Sequence, residues 1–532
     1  MTQAERPRFD LTRERWIPCE TLDGGRVELG FEDVLLRAHE LAAIHDESPL
    51  ATAVIHRLLL AILHRVVDGP RSLEAWEALW DQKCFEADRV RAYLDRWRHR
   101  FDLFDAERPF HQVPRLADAL LAEMKGKEAE VIPSRRLAVE CSTYARGPVS
   151  LLEHGGDERG LTPGEAVRAI LGFQGFGPGG KIRNFSGSAK QCPLRAGAVV
   201  LAREESVHRT LLLNLLVIEP DRPIPSTAAD APSWEQETAA PRVERAVQGW
   251  LDALTWQSRR VELVWQGTGP ETLVTSAITG VGVQPKGEWI EPMHATFVRD
   301  PKRGPEAVRF DPDRSPWRDC TVLFQATDAK EGHRRPAVCS QMAMLVERDM
   351  LKRERRFTLD LYGLASSQAA IGLWRAEHMP LPLTLLTDAE RLDVVRNALA
   401  AAEDAEKALK GSVWLLARFA LASGDRSPDK KDIGALVDRL DAKPRYWAAL
   451  GARFDELLHD IGTSASVEVV LAAWKVTSRD CARRALAEAA QQLGTNARAL
   501  QACAQAERHL ARELAELSPQ LASTSPREGA SA

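Results

Sequence analysis

The hydrophobic pattern of the first 122 residues predicts a hairpin followed by helices. Apolar and polar residues alternate on both sides of Asp23-Gly24-Gly25, which is typical of a β-hairpin turn. Residues 49–69 then carry apolar side chains at helical spacing, and this pattern ends at Gly69-Pro70. Between residues 70 and 122, tryptophan, phenylalanine and tyrosine recur at helical spacing, and we interpret them as core positions.

The middle of the chain predicts a helix, a glycine-rich loop and then short strands. In the helical segment 161–173, Thr162 is a candidate N-cap and Pro163 suits the first turn. The loop at 174–190 follows directly, and a later stretch rich in Pro, Ala and Ser predicts a surface connection at 219–242. Short apolar runs separated by turns then predict a β-rich region, with strands at RRVELVWQ, TLVTSAITGVGVQ, ATFVRD and CTVLFQ.

The last third of the chain predicts helices almost throughout. A capping box, TDAE at 387–390, opens this region. We predict four helices with short connections, at 388–423, 431–461, 465–493 and 495–517. Such lengths favour an antiparallel four-helix bundle, so the predicted fold class is α+β. The predicted domains are a mixed α/β N-terminal domain at 1–379, the four-helix bundle at 380–517 and a disordered tail at 518–532.

Composition limits the kinds of partner. With 532 residues and 44% hydrophobic content, the chain is long enough for several buried cores. Its formal net charge of -5 means that contact with nucleic acid must come from local patches. An apolar run of the ~18 residues that a membrane span needs is absent, and the first residues lack a signal-peptide core, so we expect a soluble, cytoplasmic protein without a membrane partner. Eight scattered cysteines without C-x-x-C spacing argue against structural zinc.

The glycine-rich loop resembles a nucleotide-binding loop and then departs from it. Residues 175–181 fit the first seven positions of G-x-x-x-x-G-K, but Ile182 stands where a Ser or Thr hydroxyl would bind magnesium. The loop also follows a helix and precedes a strand, whereas a phosphate loop needs a helix after it. We therefore exclude an ATP site. Five glycines with Lys181 and Arg183 still indicate a backbone that approaches an anion.

The sequence contains no convincing catalytic set. The dipeptides His45-Asp46 and His459-Asp460 could bind metal, which leaves a metal-dependent phosphohydrolase as the alternative function. Neither pair has further His and Asp residues at supporting spacing. A helical scaffold without any nucleic-acid role is a third possibility. We expect a protein that is not an enzyme, with no catalytic residues, no metal and no cofactor.

Four stretches, in order along the chain, carry a family resemblance: FDLTRERWIPCETLDG, RFDLFDAERPFHQVP at 100–114, LTWQSRRVELV at 254–264 and GLASSQAAIGLWR at 363–375. Together they resemble the large subunit of the type I-E CRISPR surveillance complex Cascade, the CasA family. The resemblance implies a non-catalytic subunit that recognises a protospacer-adjacent motif in duplex DNA, starts strand separation and R-loop formation, and recruits a helicase-nuclease in antiviral defence. The implied partners are double-stranded target DNA, the CRISPR guide RNA, other Cascade subunits and the helicase-nuclease.

The resemblance also implies which residues meet the motif. A glycine-rich loop enters the minor groove, which assigns motif recognition to Gly177, Gly179, Gly180 and Lys181. Glycine lets a main chain lie against base edges in a groove about 6 Å wide. A family lysine that reaches the same groove matches Lys286, whose ammonium can bond the A N3 and T O2 acceptors.

Two further elements follow from the same resemblance. Gln368 matches a glutamine wedge that separates the strands, with Ser366 and Ser367 keeping the hairpin tip small and Gly363 permitting a tight hairpin. A loop that anchors the subunit to guide RNA or to neighbouring subunits matches residues Leu151, Leu152, Glu153 and His154. Some relatives hold zinc through paired C-x-x-C motifs, which this chain lacks, so again no metal is expected.

Overall fold

The structure is a computed structural model whose chain divides into two compact units, Met1–Thr387 and Asp388–Ala532. The unit boundary thus lies just after α11, the last helix of the first unit (Thr384–Thr387). The described residues are 6–141, 159–181, 184, 187–220, 222–237, 242–287, 289, 291–302, 304–328, 330–367, 370–422, 427–464 and 466–517.

The first unit mixes helices and short strands. Its other helices are α1 Phe31–Leu36, α2 Pro49–Val67, α3 Leu73–Trp80, α4 Ala87–Trp97, α5 Leu116–Glu123, α6 Pro163–Phe176, α7 Val207–Asn214, α8 Trp250–Leu254, α9 Cys320–Phe324 and α10 Ala337–Glu347. Its strands are β1 Ile17–Thr21, β2 Arg26–Leu29, β3 Leu41–Ile44, β4 Val131–Pro133, β5 Gly180–Lys181, β6 Ser188–Ala189, β7 Val199–Arg203, β8 Val243–Arg245, β9 Arg259–Gln266, β10 Leu273–Val281, β11 Val283–Pro285, β12 Thr296–Phe297, β13 Glu306–Ala307, β14 Arg356–Ser367 and β15 Ala370–Pro382.

The strands form small sheets instead of one large sheet. Three-stranded sheets have the orders β2-β1-β3, β4-β10-β9 and β15-β14-β7, and two-stranded sheets pair β11 with β8, β12 with β13 and β5 with β6. All of these pairs are antiparallel except β8 with β11. Short connections join hairpins such as β1-β2, β9-β10 and β14-β15, whereas β4 and β7 pair with strands that lie far from them in sequence.

Helix α2 lies at the centre of the first unit. It packs against α6 and against the β14-β15 hairpin, and its N-cap Ser48 accepts a hydrogen bond from the Ala51 amide. Among the described residues it is the one helix long and apolar enough to cross a membrane by composition, but 89% of that window is buried inside the unit. Such burial is the environment of a core helix.

Several predicted elements are confirmed in detail. β1 and β2 form the predicted hairpin, and α2 matches the apolar stretch 49–69. The N-cap of α6 is Thr162, which forms a capping box with Glu165, and Pro163 occupies the first turn. Both ends of this box satisfy amides that otherwise lack partners at a helix start.

Two local predictions are wrong, each for a physical reason. The segment CTVLFQ was predicted as a strand but forms α9, because Cys320, Leu323 and Phe324 lie at i, i+3 and i+4 and are buried together. The capping box predicted at 387–390 does not form, because the helix begins one residue later and its N3 residue is Arg391. The cap of the next helix is Asp388, whose carboxylate accepts from the Arg391 amide.

The described residues of the second unit form helices joined by short connections. It contains α12 Ala389–Leu421, α13 Lys430–Leu440, α14 Ala442–Thr463, α15 Val467–Gln491 and α16 Ala497–Glu516. The helix predicted at 431–461 is therefore two helices, because Asp441 adopts a left-handed conformation with φ of 53°. Side chains of three helices hydrogen-bond to α12: Tyr446 to Ala402, Trp474 to Ala398 and His509 to Ser412. The long helix α12 thus organises this unit.

Buried histidines make the first unit sensitive to acid. Burial lowers the pKa of His64 and His294 to about 4 and that of His111 to about 3. Unfolding returns each pKa to about 6.5, so between that pH and the folded pKa the unfolded chain binds more protons than the folded chain. The stability that is present above pH 6.5 is therefore lost as the pH falls toward the folded pKa. Each group should remove on the order of 2 kcal/mol at pH 5.

Thermal unfolding at pH 7 and pH 5 measures this effect. We expect the free energy of unfolding of the first unit to be lower at pH 5 than at pH 7. Because His64→Gln removes one of the three titrating groups, it should reduce this difference in free energy by on the order of 2 kcal/mol. A pH difference that is unchanged in His64→Gln would contradict the assignment.

Candidate nucleic-acid interface

The glycine-rich loop is a short hairpin that leaves the end of α6. Gly180 pairs with Ala189 and Lys181 with Ser188. At the base of the loop, the amide of Cys192 donates to the carbonyl of Gly177 at 3.0 Å. The entering and leaving strands are therefore held together by backbone hydrogen bonds. Ile182 and Arg183 lie outside the described residues.

The glycines of this loop have different structural roles. A Cβ on Gly177 would come within 2.7 Å of the Phe173 carbonyl, and one on Gly179 within 2.7 Å of the Gln191 amide nitrogen. Internal packing thus accounts for both residues without any ligand. Gly180 differs, because its φ is +94° and no heavy atom lies within 4 Å of the position that a Cβ would occupy. Its requirement for glycine is conformational, and the space beside it is open.

A buried arginine holds both ends of the loop. Arg259, which is 1% exposed, donates to the carbonyl of Pro178 at 2.6 Å and to that of Lys190 at 3.1 Å. Gln174 in turn bonds the backbone of Arg259 through both its amide atoms, at 2.8 and 2.9 Å. The sequence analysis missed this residue, although it lies in the resembling stretch 254–264. A guanidinium with several fixed donors suits this bridging role.

Asn184 anchors the middle of the loop to a neighbouring sheet. Its φ is +56°, a conformation that Asn tolerates, and its side chain is buried. The amide accepts from the Glu130 nitrogen at 2.7 Å and donates to the carbonyls of Glu130 and Thr279, both at 3.0 Å. The loop is therefore positioned against β10, which leads toward Lys286.

Asn184→Ala should destabilise the first unit. The change removes three hydrogen bonds, two with the backbone of Glu130 and one with the buried Thr279 carbonyl, and we expect the free energy of unfolding to fall by about 2 kcal/mol. Urea unfolding at pH 7 measures the loss. The matched control is Asn496→Ala, since Asn496 bonds one amide at the start of α16 and should cost about 1 kcal/mol or less. Equal losses would contradict the anchoring role.

The structure brings the glycine loop and Lys286 together. The Lys190 ammonium donates to the Glu244 carboxylate at 2.7 Å and also to the Pro285 carbonyl, while the Lys190 amide donates to the Gln284 side chain at 2.7 Å. These bonds join positions that are 94 and 95 residues apart in sequence. The end of the loop and the residue preceding Lys286 are thus directly connected.

The charges around this junction divide into paired and accessible groups. A hydrogen bond from Lys190 lowers the pKa of Glu244, and the charges of Lys190 and Lys286 lower it further. Lys181 and Lys286 are exposed, and neither forms an ion pair with the described residues. Two ammonium groups therefore remain available to an external anion or acceptor, one adjacent to Gly180 in the loop and one in the turn that Lys190 contacts.

The predicted wedge lies at the end of a long hairpin. β14 and β15 contain 12 and 13 residues, and they pair as far as Ser367 with Ala370. The third strand, β7, pairs only from Thr358 to Tyr362, so residues 363–367 extend beyond the sheet. Ser366 near the tip is exposed, whereas Gln368 lies outside the described residues.

The role predicted for Gly363 is wrong. It lies inside β14, paired with Arg375, and not in the hairpin turn. A Cβ there would come within 2.9 Å of the Phe310 ring, so close packing explains the glycine. The neighbouring atom on the other side belongs to Ala198, which follows the glycine loop.

A polar network fixes the root of the hairpin. Asp360 accepts from Arg203 at 3.0 Å and from Tyr362 at 3.1 Å, and its oxygen is 2.7 Å from His378 Nδ1. Burial opposes ionisation of Asp360, but the hydrogen bond with His378 and the charge of Arg203 outweigh it and lower its pKa. All three strands of this sheet contribute, so the hairpin is held at its root.

Among the described residues, neither His-Asp pair belongs to a cluster of three or more potential metal ligands. Asp46 pairs with Arg168 at 2.8 Å, and His45 is exposed. Across the described parts of the chain, no group of three or more His, Cys, Asp or Glu residues is placed to hold a metal ion.

The anchoring residues Leu151, Leu152, Glu153 and His154 lie outside the described residues. Their flanks are close together, since Arg135 donates to the Arg159 carbonyl at 3.3 Å.

Comparison with known proteins decides the family. The family described as CRISPR-associated protein Cse1 matches residues 10–485. The chain belongs to the Cse1 (CasA) family. The resemblance found in the sequence is thereby confirmed, and nothing in the match favours a phosphohydrolase.

Similar members of the Cse1 family span nearly the whole chain. A CRISPR-associated protein CasA/Cse1 from Thermus thermophilus is 34% identical over 528 residues, covering 96% of this chain and 98% of the relative. A crystal structure of CasA from Thermus thermophilus has a TM-score of 0.78 at 33% identity, covering 96% and 100% of the two chains. A chain of a structure described as a CRISPR RNA-guided surveillance complex shares the fold, with a TM-score of 0.72, 21% identity and 95% and 99% coverage.

The mixed α/β architecture with a helical C-terminal region therefore agrees with solved Cse1 structures.

Proposed function

We propose that this Cse1 chain reads a short protospacer-adjacent motif in duplex DNA and begins strand separation within a guide-RNA complex. One observation carries the proposal. Lys190 ties the glycine loop to Glu244 and Pro285, so that Gly180, Lys181 and Lys286 belong to one connected surface. The family resemblance assigned the glycine loop and Lys286 to the same DNA groove. The hydrogen bonds of Lys190 make these two elements neighbours in the fold, and the sequence pattern gave no sign of those bonds.

Minor-groove readout suits the chemistry of this surface. Gly180 offers backbone without a side chain on an open side, and the minor groove is about 6 Å wide. The ammonium groups of Lys181 and Lys286 can bond base acceptors or flanking phosphates. In this arrangement Gly177 and Gly179 shape the base of the loop and hold Gly180 in position, so their contribution to recognition is indirect.

Strand separation is assigned to the tip of the β14-β15 hairpin. Gln368 would enter beneath the first base pair, and the exposed Ser366 with Ser367 keeps the approach narrow. Unstacking one step costs on the order of a few kcal/mol, which requires a firmly held wedge. The Asp360 network supplies such support at the root, because it joins β14 to β7 and β15.

The remaining partners are assigned to other parts of the chain. The segment with Leu151, Leu152, Glu153 and His154 would anchor guide RNA or a neighbouring subunit. The four long helices α12, α14, α15 and α16 would form an antiparallel four-helix bundle for sister subunits and the displaced strand. One face of α15 suits protein contact, because Val469 and Val476 are 66% and 55% exposed. A helicase-nuclease recruited by the complex would supply the catalysis, so this chain itself is not an enzyme.

Binding by the assembled complex tests the proposal. Partner subunits and guide RNA are combined with this chain and titrated with two duplexes that differ only in the motif flanking the target. We expect at least tenfold tighter capture of the motif-bearing duplex, since each mismatched base pair in a specific site costs about 1–3 kcal/mol. Equal affinity would overturn the proposal, and a stoichiometric metal with nuclease activity of the purified chain would favour the phosphohydrolase.

A further inference from the structure

A cavity of about 480 Å³ opens beside the proposed DNA surface. Lys190 and Pro285, the residues that join the glycine loop to the Lys286 turn, form part of its lining. Trp289, Glu291 and His294 line it as well. Its volume falls in the range of small-molecule sites, which is about 300–1,000 Å³.

Polar atoms in the lining lack partners. Within the part of the chain that the structure describes, His294 Nε2, Glu291 Oε2 and Trp289 Nε1 are buried and make no hydrogen bond. Both His294 and Glu291 are 4% exposed. Three such groups around one cavity are unusual, because buried polar atoms are normally hydrogen-bonded. They indicate a binding site whose polar atoms would form hydrogen bonds with a ligand.

The charge state of the lining defines the ligand. Glu291 Oε1 accepts from the buried Arg57 at 2.7 Å in an ion pair, while Oε2 is buried without a hydrogen-bond partner. Burial lowers the pKa of His294 to about 4, which leaves a neutral imidazole at pH 7. The cavity thus presents an acceptor, an imidazole nitrogen and an aromatic wall, and Lys190 and Arg334 add cationic side chains to its lining.

A flat heterocycle with N–H donors on one edge matches this set. Carboxylate and imidazole groups bond the exocyclic amines and ring nitrogens of nucleobases, and an aromatic side chain stacks on their faces. An aliphatic ligand would leave the polar atoms unpaired. The chemistry therefore favours a nucleobase.

We propose that this cavity receives one nucleobase extruded from the duplex captured at the adjoining loop. The inference rests on the proposed function, because that duplex is the source of the base. Extrusion costs a few kcal/mol in lost stacking and pairing, and it is cheapest beside a step already opened by a wedge. Holding the base in the cavity would keep the opened pair from closing again.

A combined protein and DNA substitution tests the inference. Ala196 is half-buried in the cavity lining, and Ala196→Met places a longer side chain inside it. In the assembled complex, Ala196→Met should weaken capture of the motif-bearing duplex about tenfold. The same measurement is then repeated on duplexes that each carry one abasic site, placed in turn at every position in and next to the motif.

A base held in the cavity predicts coupling at one position. There the abasic duplex has no base to insert, so Ala196→Met and the unsubstituted chain should bind it within about twofold of each other. The matched control is Ala420→Met, which enlarges a half-buried alanine lining a different cavity and should change no affinity. Ala196→Met effects that are equal on all duplexes, or absent on the intact one, would overturn the inference.

Failure of the inference can be told apart from failure of the proposed function. If the unsubstituted complex prefers the motif but Ala196→Met shows no position-dependent coupling, only the base-holding cavity is wrong. If the unsubstituted complex does not prefer the motif, the proposed function fails and the inference fails with it.

Discussion

Gly180→Ala should weaken capture of the motif-bearing duplex by the assembled complex about tenfold or more. A Cβ at φ of +94° strains the backbone, and it also fills the open space through which the main chain would approach base edges. Fluorescence polarisation with motif-bearing and motif-free duplexes measures both affinity and preference. We expect the preference to fall, because capture of the motif-free duplex relies on phosphate contacts that remain.

The chain offers a matched control for backbone strain. Gly24 has φ of +83° in the β1-β2 turn, and nothing lies within 4 Å of a Cβ placed there. Gly24→Ala therefore imposes a similar conformational cost outside the proposed surface. If Gly24→Ala and Gly180→Ala reduce capture equally, the effect is one of stability and the groove assignment is wrong.

Gln368→Ala should slow strand opening about tenfold while leaving duplex capture within about twofold. The wedge acts after capture, when unstacking of the first pair must be compensated. Opening is followed with a fluorescent base analogue at the first target pair, and capture by polarisation on the same duplex.

Lys286→Ala should weaken both steps, since capture precedes opening. It should also reduce the slope of log affinity against log salt concentration by about one, because one phosphate contact is lost.

Ser366→Ala is the control for the wedge, because it alters the exposed tip without removing the amide. It should leave both opening and capture nearly unchanged. Equal losses of opening and capture in Gln368→Ala would mean that the residue contributes to initial binding, and the wedge assignment would then be wrong.

Local patterns predicted the elements that local physics determines. The capping box of Thr162 and Glu165 needs only four neighbouring residues, and the long apolar stripe of α2 needs only helical periodicity. The strand prediction at CTVLFQ is wrong because burial of three side chains at i, i+3 and i+4 on one helix face outweighs the β propensity of the segment. Asp441 was also beyond local reasoning, since nothing in the periodicity marks a single left-handed residue between two helices.

The candidate site could be predicted only in part. The family resemblance located Lys286 and the glycine loop, but their connection depends on Lys190 reaching Glu244 and Pro285 across 54 and 95 residues. Arg259 and Asn184 are also far in sequence from the backbone groups to which they bond, 81 residues for Arg259 and Pro178 and 95 for Asn184 and Thr279. Periodicity and capping describe neighbours along the chain, so contacts of this kind become visible only in the fold.

The fold also redistributed the roles of the glycines. The family resemblance assigns the groove contact to Gly177, Gly179 and Gly180, with Gly179 or Gly180 as the contact itself. Steric contacts now separate two glycines required by internal packing from one with an open side. Gly180 is therefore the sharpest single position at which to test recognition.

Photocrosslinking from Ser188 tests the central claim most directly. Ser188 is exposed and pairs with Lys181, so a photoreactive amino acid there reports on the proposed groove contact while leaving Gly180, Lys181 and Lys286 intact. The account predicts that the assembled complex crosslinks to nucleotides in or next to the motif, and that the crosslink is lost on a duplex with an altered motif. Crosslinks that map elsewhere on the DNA, or that do not depend on the motif, would contradict it.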